Sequence, residues 1–422
     1  MNTWGYIILA IIFAVSLCEL GLSFLNRRHT WQIRRDPPAD VLEFYDEERL
    51  QQAAEYQSAR SRVGLAHFAV RTPLFFGLFL TGALTDWAAV VNETVSGEFY
   101  RAALFFGSYS LLFYLVSLPY RLIMTFGIER RFGFNRTTWR IFLRDTIIAG
   151  LLSVVFGSGV LWLVIILIQQ TGRWWWLPVA GALSLLSLLM TYIYPALIAP
   201  LFNRFETLAP GDLRDRIEEM AAEAGFPVAD IYRMDASRRS THSNAYFTGL
   251  GRKKRIVLFD TLLEKHDTDE ILAILAHEIA HYRLGHIRRM VALQIAGTFA
   301  AAFLAGLLLH DPFIYRAFGF EPTIYIGLFL LSILFSPLGI LAGPAVAALS
   351  RHHEYQADCF AARLIQDRET LVSTLARLYR DNLANPVPHP LVSFIYHSHP
   401  TLLERIRAIR SLRRPSGGSR AT

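Results

Sequence analysis

The sequence predicts an all-α integral membrane protein: seven transmembrane helices, interrupted by hydrophilic segments, the largest of which carries a small β-sheet. Three observations lead there. Of 422 residues, 53% are hydrophobic and only 18% charged, and mean hydropathy is +0.31, a composition foreign to a soluble enzyme of this length. Seven apolar stretches, 7–25, 68–91, 102–126, 147–168, 176–201, 290–309 and 324–349, each cover a hydrocarbon core of about 30 Å, which takes about 20 helical residues. One such stretch reads equally well as a buried core helix; seven do not. The remaining segments alternate between long arginine-rich ones and short ones poor in positive charge.

Taken in order, residues 1–202 form an N-terminal membrane domain of five spans. The first has no small-residue cleavage site after it and reads as a retained anchor. Residues 26–64 mix charges of both signs around an Asp36-Pro37-Pro38 break and read as a helical loop. Arg27, Arg28, Arg34, Arg35, Arg60 and Arg62 follow the first span, and Arg130, Arg131, Arg136 and Arg140 the third; 92–100, 169–173 and 310–322 are short and poor in positive charge. The pattern predicts an N-terminus outside, and the arginine-rich segments and the C-terminus in the cytosol. Residues 203–289 form the large insertion, 290–349 the sixth and seventh spans, 350–413 a charged helical tail, and 414–422 a disordered end rich in glycine and serine.

Within the insertion, 213–224 is amphipathic at helical period and closes at Gly225 and Pro227. Three β-prone runs follow, 230–234, 244–247 and 255–259, with Gly249 and Gly251 as turn residues, so a small antiparallel sheet is expected. An edge strand there can hold an extended peptide by backbone hydrogen bonds; a purely structural sheet fits the same residues.

The next segment, 269–286, has no proline, and Ile271, Leu272, Ile274 and Leu275 at helical spacing. It contains His277-Glu278-Ile279-Ala280-His281. On a helix, residues i and i+4 lie on one face, so His277 and His281 can grip one zinc ion. Glu278, one position round, suits the general base that deprotonates metal-activated water.

A catalytic zinc takes three protein ligands and leaves one position open. The third is sought in Ser350-Arg351-His352-His353-Glu354-Tyr355-Gln356-Ala357-Asp358. Two spans separate this stretch from the motif, so the chain returns to the side from which it left. His352 and His353 are rival ligands, but two histidines with one glutamate are an established zinc-protease set, which favours Glu354. Asp358, on the same face, is placed to orient a ligand imidazole. Taken alone, Glu354 and Asp358 equally describe a solvated helix face.

These blocks occur in one order with Glu129-Arg130-Arg131-Phe132-Gly133-Phe134-Asn135, Ala199-Pro200-Leu201-Phe202-Asn203, His242-Ser243-Asn244-Ala245-Tyr246-Phe247, Arg255-Ile256-Val257-Leu258-Phe259-Asp260-Thr261-Leu262, Leu284-Gly285-His286, Ser398-His399-Pro400 and Leu402-Leu403-Glu404-Arg405. Over most of its length the chain resembles the type I CAAX prenyl endopeptidases, integral-membrane zinc metalloproteases. The resemblance implies seven helices enclosing a water-filled chamber, with a zinc-metalloprotease domain at its cytosolic end. It implies that Asn244 and Tyr246 align the substrate, that His399 stabilises the oxyanion, and that Arg405 pairs with a carboxylate to organise the site. On residue chemistry alone, His399 before Pro400 is a turn residue. Glu19, Arg71 and Asp86 fit a hydrated interior, or lie near span ends. His286 matches the family block without an assigned role.

Expected partners are therefore a peptide or protein substrate, C-terminally prenylated by resemblance, and membrane lipids. A broad quality-control metalloprotease is the alternative within the enzyme class, and a non-catalytic zinc-binding scaffold or transporter the one outside it. Arginine outnumbers lysine and the tail carries no lysine-based retention signal, which favours a bacterial inner membrane over the endoplasmic reticulum. The net charge of +7 sits beside spans, where topology accounts for it, so nucleic acid is not an expected partner. Cys18 and Cys359 are too isolated for a disulfide framework.

Overall fold

The computed structural model describes residues 1–249 and 254–412; the expected disordered end at 414–422 and the turn residue Gly251 lie outside them. Among the described residues, six helices are long and apolar enough to cross a membrane: Thr3–Arg35, Glu47–Leu80, Glu98–Glu129, Trp139–Trp174, Trp176–Phe202 and His286–Leu308. A seventh span exists only as a pair, Ile324–Phe335 and Leu338–Leu364, bent by 54°. The protein is a multi-pass membrane protein, and both cysteines are free.

Two of the expected spans are built differently from a straight helix. The stretch 68–91 is broken after Leu80, where Gly82 takes a left-handed φ of 80° and a separate helix, Ala83–Thr94, begins. Hydropathy ran through this turn because its neighbours are apolar; only the glycine marked it. The stretch 324–349 bends at Ser336-Pro337, where proline removes a backbone donor and the Ser336 hydroxyl donates to the Ile333 carbonyl.

The chain divides into two compact units. One comprises Met1–Leu22, Ala59–Phe202 and Met290–Ala342. Its interior is an aromatic cluster in which the Phe105 and Tyr109 rings each meet Phe329 edge-on at 5.1 Å. Its flanks leave Leu111, Val154 and Leu197 exposed, as side chains facing lipid must be.

The other unit comprises Ser23–Ser58, Asn203–Arg289 and Gly343–Thr422. It holds a four-stranded sheet of β1 (Phe205–Thr207), β2 (Val228–Met234), β3 (Ala245–Thr248) and β4 (Lys254–Phe259), in the order β1-β2-β4-β3. The sheet is mixed rather than antiparallel. β2 and β4 run parallel, Ile231 opposite Ile256, while β1 and β3 are antiparallel edges. An antiparallel sheet was expected, but the segment 235–244 carries the chain past β2, so β4 returns between β2 and β3. β1, a bare Phe-Glu-Thr, was too short and too polar to signal a strand.

Against this sheet packs the helix Thr268–Arg283. Asp267 and Glu270 form a reciprocal capping box that fixes its start. Ile271, Leu275, Ala276 and Ile279 are buried with Ile231, Ile256 and Leu258 in one core. Each such Leu or Ile contributes about 1.5–3 kcal/mol by leaving water. The helix does not run on to His286. Leu284 caps it, Gly285 at φ 71° turns the chain, and a new helix starts at His286.

Candidate functional site

Three helices of the second unit build the site. Core packing of Ile279 and Ala276 pins the helix Thr268–Arg283 so that His277 and His281 stand side by side, their rings 4.9 Å apart. Their Nε2 atoms are 3.2 Å from each other. The helix Leu338–Leu364 presents Glu354, whose Oε2 lies 3.3 Å from His277 Nε2 and whose Oε1 lies 3.3 Å from His281 Nε2. The helix Leu402–Ser411, started by a Thr401–Glu404 capping box, presents Arg405.

Donor atoms of His277, His281 and Glu354 all fall within 4.8 Å of one another, a group able to hold a metal ion. The chemistry of this donor set fits one. Asp358 Oδ1 sits 2.8 Å from His277 Nδ1 and accepts its proton, which leaves the Nε2 lone pair facing Glu354 and His281. Glu354 is buried, and its Oε2 has no aligned hydrogen-bond donor although His277 and His399 nitrogens lie within 3.3 Å. A buried carboxylate oxygen beside converging imidazole nitrogens needs a positive charge among them. Burial pushes the His277 pKa down, but hydrogen bonds to Asp358 and Glu354 outweigh this and raise it to about 9.

Asp358 is also clamped by Arg405, whose Nε donates to Oδ2 at 2.8 Å and Nη2 to Oδ1 at 2.6 Å. Burial works against the Arg405 charge, but Asp358 and Glu354 more than offset it and push its pKa further up. His399, 60% exposed, reaches Glu354 Oε2 with Nδ1 at 2.9 Å. Glu278, half-buried beside His277, has no hydrogen bond or ion pair with any described residue.

The structure thus gathers His277, His281, Glu354, Asp358, Arg405 and His399 at one point, with Glu278 beside them. Asn244 and Tyr246 come from a segment whose strand packs against the motif helix. They flank the start of edge strand β3, where Ala245 and Phe247 face the motif helix and Tyr246 joins Phe259 and Val257 on the opposite face. The exposed Asn244 accepts from the Ala245 amide.

Sequence reasoning did not single out two contacts. Arg351 Nη1 donates to the carbonyls of Ser393, Phe394 and His397 at 3.2, 3.4 and 2.8 Å, so it holds the C-terminal end of the helix Pro390–Tyr396, three residues before His399. Its position three residues before Glu354 on one helix was the available signal. Gln356, which bonds His286, carried none.

On a multi-pass helical membrane protein, two imidazoles and a carboxylate on converging helices, with the Glu278 carboxylate beside them, form a set suited to a metal-dependent hydrolase. Residues 26–204 match the family model for the CAAX prenyl protease N-terminal region, with five membrane helices, and residues 208–413 match that of peptidase family M48. The chain belongs to peptidase family M48. It is 39% identical to a CAAX prenyl protease 1 homolog of Arabidopsis thaliana over 70% of both chains. It is 33% identical to a probable CAAX prenyl protease 1 of Schizosaccharomyces pombe over 94% of this chain and 87% of the relative. The crystal structure of S. mikatae Ste24p superposes with a TM-score of 0.89 at 30% identity, covering 97% of this chain and 99% of that one.

Proposed function

We propose that the protein is a zinc endopeptidase that trims prenylated C-terminal peptides, with its active site in the cytosol. The observation that carries the chemistry is the His277, His281 and Glu354 donor cluster with an unengaged Glu278 next to it. Two imidazoles and one carboxylate are a set suited to a catalytic zinc, which when bound acidifies water and polarises a carbonyl. His277, His281 and Glu354 hold the ion. Asp358 and Arg405 keep His277 in the tautomer that can bind it.

Glu278 then takes the proton from the attacking water and returns it to the leaving amine. His399, anchored on Glu354 yet exposed, donates to the oxygen on which negative charge develops. The edge strand β3 pairs with the substrate in extended form, with Asn244 and Tyr246 at the start of that edge.

The names of the relatives support prenylated CAAX substrates. Arginine-rich loops after the first and third spans support the cytosolic side, and the composition supports a bacterial inner membrane. The test is cleavage of one peptide with and without a C-terminal prenyl group by the purified protein. Faster cleavage of the prenylated form is the expected result; equal rates point to a broad quality-control protease instead.

A further inference from the structure

Gly285 in the left-handed region turns the chain at the end of the motif helix and returns His286 to the rear of His281, their Nδ1 atoms 3.1 Å apart. His286 is buried, and its ring stacks on His353 at 4.1 Å and 11° between planes, which fixes its orientation. On its far side Nε2 lies 2.9 Å from Gln356 Oε1. The Gln356 amide nitrogen in turn lies 3.1 Å from His352 Nε2.

We propose that His286 is a positioning residue that holds His281 in its Nδ1–H tautomer, so that the His281 Nε2 lone pair faces the metal. The proton order follows link by link. Gln356 donates with its amide to His352, so its oxygen accepts from His286 Nε2–H. A neutral His286 then has a lone pair on Nδ1, which accepts from His281 Nδ1–H. The His281 Nε2 is left without a proton, beside His277 Nε2 and Glu354 Oε1. The reverse polarity would put a proton on His281 Nε2, where it would bond Glu354 and block ligation. Thus His286 does for His281 what Asp358 does for His277, with a neutral acceptor in place of a charged one.

The inference rests on the reading of His277, His281 and Glu354 as ligands, and the experiment separates the two. Zn2+ affinity of the purified full-length protein is measured by competition with a fluorescent chelator, alongside the melting temperature of the zinc-free form. His286→Ala is expected to weaken Zn2+ binding on the order of 10- to 100-fold. His286→Asn, whose side-chain carbonyl can accept from His281 Nδ1–H, is expected to stay within a few-fold of the parent. A purely structural role would lower the zinc-free melting temperature and leave affinity alone. Should His286→Ala fail to fold, Gln356→Met and Gln356→Glu replace it: only Met, which lacks the acceptor, should weaken binding. Equal affinity in parent and His286→Ala, or in the two Gln356 variants, overturns the proposal. Zn2+ bound by Glu354→Ala as tightly as by the parent, or not bound by the parent at all, overturns the ligand reading and His286 with it.

Discussion

Asp358 joins two buried groups that would each be costly alone. It is 1% exposed and holds both the Arg405 guanidinium and His277 Nδ1–H. Removing one partner of a buried ion pair leaves an uncompensated charge at a cost of about 3–5 kcal/mol. Asp358→Leu should therefore lower the melting temperature of the zinc-free protein as well as its metal affinity. A variant that melts like the parent would mean that Arg405 finds another anion. His277 and His281 were legible in the sequence because i, i+4 spacing is a local rule, and Glu354 because counting spans fixed its side. Arg405 was legible only through resemblance: it reaches His277 across 128 residues of chain, and no local pattern encodes that contact.

Elements, more than single side chains, decide how the site is held. The helix Leu338–Leu364 carries Glu354 on one face and, one turn earlier, Arg351, which ties down the carbonyls ahead of His399. Arg351→Ala should free that segment and lower kcat by about 10- to 100-fold, as small misplacements do, while Zn2+ stays bound. Single-turnover kinetics with metal analysis checks this; lost metal in place of lost rate would show that Arg351 supports Glu354 instead. Gly285, at φ 71° with Arg288 3.2 Å from where a Cβ would sit, ends the motif helix. Gly285→Ala should cost more than about 1 kcal/mol, since a left-handed backbone strains any side chain, and an unchanged melting temperature would contradict it. The helices and most strand positions followed from periodicity. The mixed pairing of the sheet and the breaks at Gly82 and Pro337 did not, because strand order is set by connections and a break needs only one residue in an otherwise apolar run.

At the scale of the whole molecule, the apolar stretches that predicted a membrane protein needed little more than hydropathy, because lipid allows few alternatives to long helices. The same chain devotes a second unit to a soluble-type core of sheet and helices, and the donor cluster of His277, His281 and Glu354 belongs to that unit. Stripping metal with a chelator should abolish peptidase activity while the zinc-free protein remains folded, since the hydrophobic core is built without His277, His281 and Glu354. Circular dichroism after chelation checks this, and unfolding would count against it. The account as a whole turns on Glu278, which has no hydrogen bond or ion pair with any described residue. Metal content and peptide cleavage should be measured together on purified parent and Glu278→Gln proteins. The account predicts one zinc per chain in both and cleavage only by the parent. Cleavage by Glu278→Gln at the parent rate, or a parent that cleaves without metal, would contradict it.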